Sequence, residues 1–116
     1  MKESIVKDKS KDFALKIIQL YKFLTTTAAQ KEFVLSKQVL RSGTSIGANI
    51  KEALRGQSRP DFKAKMNIAL KEASETEYWL ELLHESEYID QDQFEYLIIS
   101  CRELIKLLTS IVKNTD

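Results

Sequence analysis

The chain has 116 residues, 43% of them hydrophobic and 30% charged, with a formal net charge of +1. That length supports one domain with one modest core, and that balance excludes wholesale disorder. Three glycines, one proline and one cysteine offer too little turn punctuation for an all-β or α/β fold, and exclude an intramolecular disulfide or a multi-cysteine zinc site.

Residues 1–9 are polar and predict a flexible N-terminal segment, with the folded domain over residues 10–116. Residues 1–8 hold no long apolar stretch of the signal-peptide kind, and no run reaches the ~18 apolar residues of a membrane span. The expectation is a cytoplasmic chain with no membrane partner. Ser10 reads as an N-cap, followed by Phe13, Ile17, Leu20, Tyr21 and Leu24 at helical spacing until Thr25-Thr26-Thr27 ends the pattern. A second helix is predicted from about Lys31 to Leu54, stopped by Gly56. Its core face is Leu35, Val39, Ser42, Gly43, Ile46, Ile50 and Ala53. The small residues Ser42, Gly43, Gly47 and Ala53 would let a neighbouring helix approach closely.

Ser58-Arg59-Pro60-Asp61 supplies a cap, an early proline and an acid at the third position, and so predicts a helix start. This third helix runs to about Ser86, with Phe62, Met66, Ala69, Ala73, Thr76, Leu80 and Leu83 on one face. In Ile89-Asp90-Gln91-Asp92-Gln93-Phe94, Asp90 and Gln93 form a capping box and Ile89 staples onto Phe94. The fourth helix buries Phe94, Leu97, Ile98, Cys101, Leu104, Ile105, Leu108, Ile111 and Val112. Short polar links force antiparallel neighbours, so the fold predicted is all-α: an up-down-up-down four-helix bundle.

The near-neutral total conceals an asymmetry. Residues 1–59 hold twelve Lys/Arg and five Asp/Glu, whereas residues 60–116 hold six and twelve. Lys37, Arg41, Lys51 and Arg55 fall within an arc of ~80° opposite the core face of the second helix, along ~27 Å of its axis. Arg59, Lys63 and Lys65 continue the charge into the third helix. Such a stripe can follow a phosphate backbone by charge neutralisation. It can equally be a solvated face, or one paired with the acidic stripe Glu77, Glu81 and Glu85. Trp79, Leu82, Tyr96 and Leu107 lie at the edge of their core stripes or beyond, as do Leu15 and Phe23, a surplus that predicts a homo-oligomer.

The chemistry of an active site is missing. A di-metal carboxylate bundle needs two E-x-x-H pairs, and Glu81-Leu82-Leu83-His84 is the one pair available, with a single histidine in the chain. Cys101 sits among leucines as a core thiol. There is no Ser/His/Asp set and no glycine-rich phosphate loop. The reading is no enzyme, no metal, no cofactor and no small-molecule substrate.

The stretch from Gln38 to Ala53, with its Arg41…Ser45-Ile46…Asn49-Ile50…Glu52 pattern, together with Phe62, Ile68-Ala69-Leu70 and the acids Glu75 and Glu77, resembles a known family. It is similar to the four-helix bundle proteins encoded within 23S rRNA intervening sequences, also termed S23 ribosomal proteins. Their superfamily includes the accessory variability determinant protein of diversity-generating retroelements. The resemblance spans about residues 10–112 and implies a bacterial bundle, a homopentameric ring and an RNA or nucleoprotein partner. The chain departs from the family pattern at Lys51 and Ala53, where Asn-Ile-Ala-Glu-Gly is usual, and at Lys71-Glu72, where Gly-Ser is usual. Asn49 is expected to bond across helices as a buried polar residue, the alternative being a functional contact. The function expected is a non-enzymatic oligomeric accessory protein that binds structured RNA or another nucleic acid through the basic surface. The alternative is a protein–protein scaffold whose basic and acidic faces pair between subunits.

Overall fold

The computed structural model describes residues 2–29 and 31–116. Four α-helices follow in order: α1 (Lys2–Lys22), α2 (Leu35–Leu54), α3 (Arg59–Glu85) and α4 (Gln91–Lys113). Each packs on its neighbour in the chain, and α1 closes the ring against α4, in a body of 47 × 20 × 19 Å. The pairs Ile17–Gly43 and Ser10–Gly47, Arg41–Glu72 and Glu52–Lys65 all run antiparallel. The predicted up-down-up-down bundle is the fold.

The core follows the predicted stripes closely. Phe13, Ile17, Leu20 and Leu24 of the first segment are buried with Val39, Ile46 and Ile50 of α2, Met66, Leu80 and Leu83 of α3, and Leu97, Leu104 and Leu108 of α4. Ser58 caps α3, accepting from the Asp61 amide at 3.2 Å. Asp90 and Gln93 form the full capping box of α4, at 2.8 and 2.9 Å. Between these helices Glu87 takes a left-handed φ of 67°, while the Tyr88 amide returns to the Leu83 carbonyl at 2.9 Å. This is a helix stop of the kind glycine usually provides.

The N-terminal expectation is corrected. Residues 2–9 are part of α1, and Val6 is completely buried in the core. Ser10 therefore lies inside the helix and caps nothing; its hydroxyl donates to the Lys7 carbonyl at 2.9 Å. One buried apolar residue among charged ones leaves no periodicity to read, and packing holds the turn in place. At its other end α1 widens into a π-helical turn over Phe23–Thr27, closed by the Ala28 amide on the Phe23 carbonyl at 2.8 Å. Thr25 and Thr26 donate back to the Tyr21 and Lys22 carbonyls, the back-bonding that loosens a helix at threonine.

α2 begins at Leu35, four residues after the predicted Lys31. The difference has a cause in Glu32. Its amide is held by the Leu24 carbonyl at 2.9 Å, and its buried carboxylate accepts from the Ser36 amide at 2.8 Å. An acid there meets unpaired amides and the positive end of the helix dipole, so the link is fixed outside the helix.

The helices approach most tightly where the sequence is small. A Cβ built on Gly43 would stand 2.8 and 2.9 Å from Cγ1 and Cγ2 of Ile17. On Gly47 it would stand 3.3 Å from the Ser10 hydroxyl, with the rest of Ser10 at 3.6 Å. On the other flank of α2, Ser42 and Thr76 share a buried hydrogen bond of 2.8 Å with α3. The Cys101 thiol donates to the Ala73 carbonyl at 3.3 Å, tying α4 to α3. Burial, reinforced by the nearby Glu77 charge, pushes that thiol up to about 12.

Two outcomes follow from this packing. Gly43→Ala gains about 1 kcal/mol of helix propensity but overpacks a β-branched side chain that cannot rotate away, a cost of about 1–3 kcal/mol. Urea denaturation should show Gly43→Ala less stable than the parent by up to about 2 kcal/mol, and less stable than Gly47→Ala, which has the same propensity gain and a looser contact. Cys101 should resist iodoacetamide at pH 8 in the native protein and react fully in urea; rapid native alkylation would contradict its burial.

Candidate nucleic-acid interface

The helical wheel groups Lys37, Arg41, Lys51 and Arg55, but the bundle separates them. Arg41 leans toward α3, where its guanidinium pairs with Glu72 at 3.3 Å and with Glu75. The hydrogen bond to Glu72 and the charges of both acids raise its pKa. The Trp79 indole donates to the same Glu75 at 3.3 Å. Lys65 is likewise held, by Glu52 of α2 at 3.1 Å. These two cations are neutralised by the fold itself.

The other five predicted cations, Lys37, Lys51, Arg55, Arg59 and Lys63, are exposed and make no ion pair among the described residues. Lys51 and Arg55, unlike Arg41, make no ion pair with α3. They border a groove of about 600 Å³ between α1 and α2, shared with Lys7 and Lys11. Lys7 and Lys11 are also exposed and unpaired among the described residues. Sequence reasoning misses Lys7 because it leaves residues 1–9 outside the bundle, and Lys11 because only the packing of α1 on α2 brings it beside Lys51 and Arg55. Lys51 and Arg55 reach in addition into a polar cavity of about 700 Å³ at the α2–α3 turn, bordered by Glu52, Ser58, Asp61 and Lys65. Asn49 does not bond across helices as expected; its amide donates to the Ser45 carbonyl within α2 at 2.9 Å.

The acids of the predicted stripe are partly engaged as well. Arg102 of α4 pairs with Glu77 at 2.9 Å and Glu81 at 3.6 Å. His84 stacks on Phe94, ring centroids 4.2 Å apart. Among the described residues no three His, Cys, Asp or Glu side chains are grouped to hold a metal ion, and no helix is long and apolar enough to cross a membrane.

The predicted interface residues divide. Trp79 and Leu107 pack on the chain's own core, as does Phe23, and Leu82 is half-buried. Tyr96 is 61% exposed, with the Lys16 ammonium 4.7 Å from its ring centre. Further exposed apolar groups are Leu15, Phe33, Val34, Tyr78 and Ile99.

A family model described as 23S rRNA-intervening sequence protein matches residues 2–110. A crystal structure of a protein of unknown function from the S23 ribosomal protein family of Bacteroides thetaiotaomicron VPI-5482 is 61% identical. It aligns over 98% of this chain and 100% of its own, with a TM-score of 0.94. No curated protein matches the chain.

Proposed function

The chain belongs to the 23S rRNA-intervening sequence protein family, and from that premise we propose that it is a non-enzymatic, homo-oligomeric accessory protein that binds RNA or another nucleic acid through its cationic end. The observation that carries this reading is the sorting of charge by the fold. Arg41, Lys65 and Arg102 are paired off within the bundle, while Lys51, Arg55, Arg59 and Lys63 remain exposed around the α2–α3 turn. Unpaired cations at one end attract a polyanion, and phosphate neutralisation with counterion release is the dominant source of such binding. The scaffold reading pairs Arg41 and Arg55 with Glu77, Glu81 and Glu85 of a neighbouring subunit. Arg41, Glu77 and Glu81 already have partners within the chain, which leaves Arg55 and Glu85 for such pairing.

A labelled RNA stem–loop, titrated by fluorescence anisotropy between 50 and 200 mM salt, tests the reading. Affinity should fall steeply with salt. Arg55→Gln with Arg59→Gln should flatten the slope by about one unit for each phosphate no longer neutralised. Arg41→Gln with Lys65→Gln should leave the slope near that of the parent, because those charges are already neutralised. Salt-independent binding, or none, would defeat the proposal.

The oligomer is tested separately. Exposed Leu15, Phe33, Val34, Tyr78, Tyr96 and Ile99 are a large apolar surface for so small a domain. Light scattering at micromolar concentration should give a mass above that of a dimer, with the pentamer favoured by the family resemblance. A monomer mass would contradict it.

A further inference from the structure

We propose that the groove between α1 and α2 is a binding site for a single phosphodiester strand, entered backbone first; this rests on the nucleic-acid reading above and gives it a place and a ligand form. Two helical walls face each other across the groove. Lys7 and Lys11 stand on α1, Lys51 and Arg55 on α2, and the floor is Ser10, Ala14, Thr44, Gly47 and Ala48. On each wall the two cations are one turn apart, about 6 Å along the axis. Gly43 and Gly47 face α1 without side chains, and small residues at such a contact let two helices approach closely. Four cations therefore converge on one narrow channel. Among the described residues the only acid bordering it is Asp8.

The shape decides which nucleic acid fits. A duplex is read by protein that projects into its grooves, the major groove being about 12 Å wide. Here the protein is concave, and the cations line a cleft no wider than the space between two helices. A single strand is slim enough to lie in it, with cations on both sides of its phosphates. Among the described residues the lining carries no aromatic side chain on which bases could stack. The bases then point to solvent, and the site is indifferent to sequence. The floor adds a second requirement, because its small residues leave the depth that the strand occupies.

The test uses a labelled 12-nucleotide oligo(U) and a blunt RNA duplex of the same length, by anisotropy with the full chain. The parent should bind the single strand at least tenfold tighter than the duplex. Lys7→Gln with Lys11→Gln should weaken single-strand binding as much as Lys51→Gln with Arg55→Gln. Each pair should flatten the salt slope by about 1.4, at ~0.7 per neutralised phosphate on a single strand. Ala48→Phe should also weaken it while leaving net charge unchanged, since it fills the channel. All five positions are exposed, and a circular dichroism melt of each variant confirms folding. Equal or tighter duplex binding would overturn the channel. So would weakened binding on changing Lys51 and Arg55 with none on changing Lys7 and Lys11, although nucleic-acid binding itself would then stand. If the parent binds neither probe nor the stem–loop at any salt, both readings fall.

Discussion

The closeness of α1 to α2 is the constraint on which the rest of this structure depends. Ile17 occupies the space where Gly43 would carry a side chain, so the α1 side chain packs directly on the α2 backbone. That approach aligns α1 along its full length, carrying Val6 into the core and bringing Lys7 and Lys11 alongside Lys51 and Arg55. A larger residue at Gly43 would part the walls of the cationic groove as well as loosen the core. Stability and the candidate site thus rest on one small position, and the other flank of α2 is fixed independently by the Ser42–Thr76 bond.

Charge is the second organising factor, and it acts by sorting more than by stabilising. Exposed ion pairs contribute little to folding free energy, so Arg41–Glu72, Lys65–Glu52 and Arg102–Glu77 matter mainly by removing cations from the surface potential. What is left is polar along the long axis. Residues 72–101, around the α3–α4 turn, carry nine Asp/Glu and no Lys/Arg, while residues 51–71, around the α2–α3 turn, carry six Lys/Arg and two Asp/Glu. Antiparallel topology places those turns at opposite ends of a body 47 Å long. The asymmetry between the two sequence halves becomes an asymmetry between two ends.

The parts of the fold legible in the sequence are those with local causes. The Ser58 cap, the Asp90–Gln93 box and the apolar stripes of α2, α3 and α4 each depend on residues a turn or two apart, and all stand as read. The start of α1 was illegible because Val6 is the only residue of that turn to enter the core, and only the neighbouring helices show that it does. The candidate site was half legible for the same reason. A helical wheel places Arg41 and Lys51 on one arc, yet it carries no information about which neighbour each will meet. Arg41 meets acids on α3 and Lys51 meets open groove beside α1. Trp79 likewise reads as surplus on a wheel and packs on the core in the bundle.

The central claim is that folding gathers unpaired cations from α1 and α2 into one surface for a phosphate backbone. Photo-cross-linking of an oligonucleotide that carries azidophenacyl groups on backbone phosphorothioates, followed by peptide mass spectrometry, tests it without altering any residue. The account predicts cross-linked peptides from residues 7–14 and 44–55 and none from 72–101. Cross-links concentrated in residues 72–101, or spread evenly over the four helices, would contradict it.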